Sequence, residues 1–341
     1  MKAFDYQPVF KKSVLTNGVR ILTEHHPYTR STCVGFYVDL GTRDEPNNLI
    51  GGAHFLEHVL FKGTSQRSAC QLVSELEAVG GEINAYTTKE YTCYHAVTLR
   101  EHQGISYSVL ADLISNANVD AVEVDKERRV ILQELDMSKD LLEEYIFDLY
   151  LEQSYAGHPL ARPILGTPES LAQVNRDILF NFYQQRYCGA NLIVAVTGDV
   201  DHDRVVNELS WLGEIKRPKA SCDPRLPPQL KGFNYVEERP SEQIHMIVGL
   251  PSCSYNEKFR FEAYVINAVL GGGMTSRLYQ KIREHRALAY NVYSYLHSYT
   301  DSGMIMTYAG TSPENASEVL TAIRQELETI ATQGVTADEL R

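Results

Sequence analysis

The run Gly51-Gly52-Ala53-His54-Phe55-Leu56-Glu57-His58-Val59-Leu60-Phe61-Lys62-Gly63-Thr64 constrains this chain more than any other. It reads as a helix opening at Gly51 and ending near Gly63. On such a helix His54 and His58 stand at i and i+4, one turn apart on one face. Two neutral imidazoles at that spacing can grip one Zn²⁺. Glu57 comes three residues after His54, so its carboxylate leans over the same face. There it is placed to accept a proton from an attacking water instead of binding the metal. Two histidines leave a tetrahedral site incomplete, and the rest of the chain has to supply a third ligand.

That ligand is best sought in Glu123-Val124-Asp125-Lys126-Glu127-Arg128-Arg129-Val130-Ile131-Leu132-Gln133-Glu134-Leu135. On a helix Glu127 and Glu134 are seven apart and nearly eclipsed. One carboxylate can bind the metal while the other steadies a ligand from behind. Spacing does not say which does which, and a solvated amphipathic surface helix is the bland alternative. His25-His26, His95, His158 and His245 lack ligand-like spacing and read as structural or surface residues.

The chain of 341 residues is longer than one core usually supports, so two domains are expected. Lys and Arg number 32 against 44 Asp and Glu, a formal charge of −12, and no basic run appears. Nucleic acid and an anionic membrane are therefore unsuited as partners. Cys33, Cys70, Cys93, Cys188, Cys222 and Cys253 are scattered without a Cys-x-x-Cys pair. They read as thiols of a reducing compartment. The N-terminus Met1-Lys2-Ala3-Phe4-Asp5-Tyr6-Gln7 has no apolar leader core, and no stretch is long enough to span a bilayer. A soluble, cytoplasmic protein is the expectation.

Short β-branched or apolar runs at 19–23, 32–40 and 192–200 predict strands, and 83–99 is strand-like. Helices are expected at 69–79, 105–116, 122–153 and 177–187, with Pro159 and Pro163 marking a loop. Three prolines within 224–228 make 222–231 the linker, suited to an extended spacer. Beyond it strands are expected at 243–249, 290–297 and 303–309, with helices at 257–269 and 275–286. Gly51-Gly52 and Gly271-Gly272-Gly273, each taken to precede a helix, hint at an internal duplication. Strands interrupted by helix pairs predict an α+β fold of α/β sandwiches. The second half is about 110 residues against about 222 in the first, and Thr336 reads as the N-cap of a helix that stops at once. The chain thus reads as a fragment or truncated product.

Taken together these residues resemble the inverted-motif zinc peptidases that include pitrilysin, insulin-degrading enzyme and the mitochondrial processing peptidase. His-x-x-Glu-His reverses the His-Glu-x-x-His order of other zinc proteases. Leu15-Thr16-Asn17-Gly18-Val19-Arg20, Gly41-Thr42-Arg43-Asp44-Glu45-Pro46 and Leu60-Phe61-Lys62-Gly63-Thr64 extend the match, which runs nearly the whole chain and is nearest to the short bacterial members and the processing-peptidase β subunit. The resemblance implies two homologous α/β sandwich domains with antiparallel-rich sheets flanked by helices: 1–221 holding zinc and the catalytic residues, and 232–341 incomplete. It implies that His54, His58 and Glu134 bind Zn²⁺, that Glu57 is the base and that Glu127 supports the site. Gly80-Gly81-Glu82-Ile83-Asn84-Ala85-Tyr86-Thr87 resembles the family's edge strand, where Asn84 and Ala85 would contact a peptide added as a further strand. Arg283 and Tyr290 match the partner domain's signature and would hold the scissile carbonyl and its oxyanion.

The expected function is a zinc-dependent endopeptidase acting on extended or unfolded peptides, in a homodimer or a heterodimer with a homologous subunit. The rival expectation is a structural or assembly subunit that keeps the fold without catalysis.

Overall fold

In the computed structural model, which describes residues 9–217 and 224–340, six strands of the first half join in one sheet. They are β1 (Val9–Val14), β2 (Arg20–His25), β3 (Ser31–Val38), β4 (Glu82–Thr87), β5 (Thr92–Leu99) and β6 (Leu192–Gly198), in the order β1-β2-β6-β3-β5-β4. Only β2 and β6 run parallel. Alternation along each strand decides which face is buried. Register lines up Ile21, Val194, Phe36, Tyr94 and Ala85 across the sheet. The first four of these are fully buried. Burying each such side chain contributes about 1.5–3 kcal/mol.

Helices α1 (Gly52–Leu60), α2 (Ala69–Glu77) and α3 (Gln103–Asn116) cover that face with Phe55, Leu56, Leu72, Leu76, Leu110 and Leu113. Next come α4 (Ala121–Asp140), α5 (Leu142–Ser154), α6 (Pro168–Gln173), α7 (Arg176–Arg186) and α8 (His202–Glu208). The helix expected over 122–153 is interrupted at Leu141, whose φ of −85° and ψ of 80° are not helical. The strand-like stretch 83–99 is a hairpin, because Thr88 closes a turn by accepting N–H bonds from Glu90 and Tyr91 on Oγ1.

The packing divides the described residues into two units, one running to Leu135 and resuming over Arg162–Arg225, the other made of Asp136–Ala161 and the residues from Leu226 on. This division differs from the expected 1–221 domain. Residues 136–161 join the second unit because Leu151 of α5 and Tyr155 just beyond it are buried with Tyr299, Met304 and Met306. Of the expected linker, Cys222 and Asp223 lie outside the described residues, as do Met1 to Gln7 and Arg341.

In the second unit β7 (Ile244–Ser252), β8 (Ala289–Ser298) and β9 (Gly303–Thr311) form an antiparallel sheet in the order β7-β9-β8. Helices α9 (Arg260–Gly271) and α10 (Ala316–Gln333) complete its core with Leu270, Val319 and Ile323. The helix expected at 275–286 contains a π-helical turn, Tyr279–Glu284. The order β7-α9-β8-β9-α10 repeats β3-α1-β4-β5-α3, and the sheet order β7-β9-β8 repeats β3-β5-β4. The glycine runs are not the equivalent points: Gly51-Gly52 starts α1, whereas Gly271-Gly272-Gly273 follows α9. Thr336 and Glu339 exchange the reciprocal bonds of a helix cap, Thr336 N–H to Glu339 Oε2 at 2.7 Å and Glu339 N–H to Thr336 Oγ1 at 3.3 Å. Among the described residues no helix is long and apolar enough to cross a membrane, and Cys33, Cys70, Cys93, Cys188 and Cys253 are free thiols.

The loop from β3 to α1 runs directly over the hairpin turn 88–91. Arg43 N–H donates to Lys89 O at 2.8 Å, and a Cβ on Gly41 would lie 2.3 Å from the Lys89 carbonyl and the Glu90 nitrogen. Backbone on both sides leaves little room to yield. Gly41→Ala is expected to destabilise the first unit by about 1–3 kcal/mol in urea unfolding; an unchanged midpoint would contradict this packing.

Candidate metal centre

The centre is built outward from α1. Gly51 takes a φ of 88°, which a side chain would strain, and turns the chain into the helix. The first N–H groups of a helix need acceptors, and here the buried Glu45 provides them. Gly51 N–H donates to Glu45 Oε2 at 2.8 Å and Ala53 N–H to Oε1 at 2.7 Å. Phe55, Leu56, Val59 and Leu60 then seat one face on the core, leaving His54, Glu57 and His58 together on another.

His54 is 6% exposed. Its ring centroid lies 4.6 Å from that of His58. Glu134 Oε2, from α4, stands 3.8 Å from His54 Nε2 and 3.5 Å from His58 Nε2. The three donor atoms lie within 4.8 Å of one another, the sole such cluster of three among the described residues. A tetrahedral ion with bonds of about 2.0–2.1 Å wants its ligands about 3.3 Å apart. The site therefore fits such an ion with small adjustments. His54 supports the fit in another way. Its Nδ1 is buried without a hydrogen-bond partner, and its Nε2 meets a carboxylate only beyond hydrogen-bond range. A metal would supply the partner that the buried Nε2 lacks, while Nδ1 would keep none. Burial, then the neighbouring His58, pulls its pKa down to about 3. His54 is thus neutral and able to ligate at pH 7.

Glu127 lies behind His58. Its Oε2 is 3.1 Å from His58 Nδ1 and its Oε1 is 2.9 Å from Lys62 Nζ. Donation from Nδ1–H fixes the tautomer that leaves Nε2 free for the metal. The two carboxylates that spacing left interchangeable are thereby separated: Glu134 faces the imidazole Nε2 atoms and Glu127 the far side of His58. Glu57 Oε2 accepts from Thr87 Oγ1 at 2.5 Å. Burial raises the Glu57 pKa, against the lowering effects of Thr87 and His58, and Glu134 raises it further. A carboxylate made more basic than usual is a better proton acceptor.

Asn84 and Ala85 lie on β4, which ends the sheet with one edge unpaired among the described residues. Ala85 N–H donates to Asn84 Oδ1 at 2.8 Å, so the edge is closed at that point by its own side chain. Arg283 and Tyr290 belong to the second unit. There the Arg283 guanidinium lies 4.8 Å from the Tyr279 ring and 5.4 Å from that of Tyr290, which is 70% exposed.

Residues 20–168 match the profile of the insulinase family (peptidase family M16), and residues 173–341 that of the peptidase M16 inactive domain. An uncharacterized zinc protease of Streptomyces coelicolor is 38% identical over 338 residues, 97% of this chain and 74% of its own length. The uncharacterized zinc protease YmxG of Bacillus subtilis is 35% identical over 332 residues, 97% of this chain and 81% of its own length. The chain belongs to the insulinase family, peptidase family M16. Solved structures agree on the fold. A peptidase M16 inactive domain from Pseudomonas fluorescens superposes with a TM-score of 0.91 at 18% identity, covering 97% of this chain and 81% of that one. A protease from Helicobacter pylori gives 0.88 at 22%, covering 98% and 83%. All three members of the donor cluster fall within the insulinase-matched segment.

Sequence reasoning assigned no role to Thr87, Lys62 or Glu45. Lys62 carried a signal, since it stands four residues beyond His58. Thr87 is thirty residues from Glu57, and Glu45 caps α1 from six residues before Gly51, so neither had a local pattern to betray it. Glu134→Gln is expected to weaken Zn²⁺ binding most, Glu127→Gln by about tenfold to a hundredfold, and Lys62→Met by less. Chelator competition measures all three; equal losses for Glu134→Gln and Glu127→Gln would overturn the division of roles.

Proposed function

We propose that this chain is a zinc-dependent endopeptidase that hydrolyses extended or unfolded peptides. The observation that carries the reading is the convergence of His54 Nε2, His58 Nε2 and Glu134 Oε2 beside a Glu57 carboxylate held by Thr87. The naming of its relatives as zinc proteases supports it.

When bound, Zn²⁺ would polarise the scissile carbonyl and acidify a water. His54, kept neutral by burial, and His58, oriented by Glu127, supply nitrogen donors, and Glu134 supplies an oxygen. Glu57 takes the proton from the attacking water and passes it to the departing amine, which a carboxylate with a raised pKa does efficiently. Thr87 fixes which carboxylate oxygen faces the reacting atoms. A peptide in extended form adds to β4 by main-chain hydrogen bonds, and Asn84 Oδ1 then surrenders the Ala85 N–H to it. The reading extends to Arg283 and Tyr290, whose guanidinium and phenol are the donor types suited to a developing oxyanion.

Zinc content and cleavage of a quenched peptide test this together. The wild-type chain should hold one Zn²⁺ and cut the peptide. Glu57→Gln should keep the metal and lose activity by at least about a hundredfold, the scale of a lost general base. A wild-type chain that holds no zinc and cuts nothing would refute it and leave a non-catalytic subunit as the better reading; a Glu57→Gln variant as active as wild type would refute Glu57 as the base.

A further inference from the structure

The segment 222–231 was expected to be an extended spacer, yet within it Arg225 is tied by its side chain to the first unit. Arg225, whose side chain is 22% exposed, places its guanidinium between the loop that leads into α1 and the turn that follows Thr87. Nε donates to Asp44 Oδ1 at 2.8 Å and Nη2 to Asp44 Oδ2 at 2.6 Å, the two-pronged grip that a planar guanidinium makes on a carboxylate. Nη2 also lies 3.0 Å from Asp39 Oδ1 and 2.7 Å from Glu90 O.

Two of these contacts, to Asp44 and Glu90, lead to the site by short covalent paths. Asp44 accepts Gly41 N–H on Oδ2 at 3.0 Å and Arg186 Nη2 on its carbonyl at 3.0 Å, so it is the knot of the β3–α1 loop. The next residue is Glu45, whose carboxylate holds the start of α1 one residue before His54. Glu90 belongs to the turn that begins immediately after Thr87, the residue bonded to Glu57. A second arginine reinforces the junction, with Arg43 Nη1 2.7 Å from the buried Glu90 Oε1. Arg225 also sits between Asp39 and Asp44, two carboxylates that would repel one another without it.

We propose that Arg225 is a positioning residue for the metal centre, pinning the loop that leads into the histidine helix to the turn that follows Thr87. It touches none of the metal-site residues itself. Its effect passes through Asp44 and Glu45 on one side and the Glu90 carbonyl on the other. The inference rests on the peptidase reading only where activity is concerned, because metal binding and local protection report on it independently.

The test compares Arg225→Ala, Arg225→Lys and Asp44→Asn in the full chain. Measured are the Zn²⁺ dissociation constant by chelator competition and amide exchange at Gly51 and Ala53. Arg225→Ala should weaken Zn²⁺ by about tenfold, at the lower end of losses from outer supporting groups, and should speed exchange at both amides. Lysine restores charge without the fork, so Arg225→Lys should remain close to Arg225→Ala. Asp44→Asn, which keeps the side chain's shape, should show a smaller loss of the same kind and should add little when combined with Arg225→Ala. Wild-type zinc affinity and exchange in Arg225→Ala, full recovery in Arg225→Lys, or simple addition in the double variant would each overturn the proposal. Failure of the peptidase reading would appear separately, as a wild-type chain that binds zinc and cuts nothing.

Discussion

The candidate site depends on one constraint: a short helix whose N-terminus is held by a glutamate from the preceding loop. Nine residues of helix are marginal without tertiary support. Glu45 answers two N–H groups at its start, and Phe55, Leu56, Val59 and Leu60 anchor its underside in the core. With both ends of that arrangement set, the directions of His54, Glu57 and His58 follow from helix geometry alone. The loop that brings Glu45 into place is in turn packed against the β4–β5 turn, so the strand end bearing Thr87 and the helix bearing Glu57 are positioned by the same junction.

The electrostatics of the centre follow from this packing. Burial keeps His54 neutral and favours the protonated form of Glu57, while Lys62 supplies a positive charge to the buried Glu127. Three carboxylates lie close together without being alike. Glu134 is half-exposed and faces the imidazoles, Glu127 is buried and paired with a lysine, and Glu57 is half-buried against a hydroxyl. Their differing surroundings support the differing roles proposed for them.

The internal repeat sharpens the contrast. The second unit repeats the strand and helix order of the first, and its helix α9 occupies the place of α1 in that order. Yet α9, Arg-Phe-Glu-Ala-Tyr-Val-Ile-Asn-Ala-Val-Leu-Gly, carries no histidine. The shared frame does not create the metal centre; the residues placed on the frame do.

The sequence by itself determined the helix with its two histidines and glutamate, the mixed α/β class and the pair of candidate carboxylates on α4, because each is written in spacing along the chain; it only hinted at a repeat, through glycine runs that are not its equivalent points. It left β1, α6, α8 and α10 unassigned and joined β4 to β5, since a short turn closed by Thr88 scarcely interrupts a β-rich pattern. Only the tertiary structure decided that Glu134 faces the imidazoles and Glu127 the back of His58, since eclipsed positions on one helix are told apart only by what lies opposite them. The same holds for Thr87 on Glu57, Glu45 under α1, Arg225 on Asp44 and the transfer of 136–161 to the second unit. Most of these contacts join residues far apart in the chain, and no periodicity records a contact that exists only once the chain has folded.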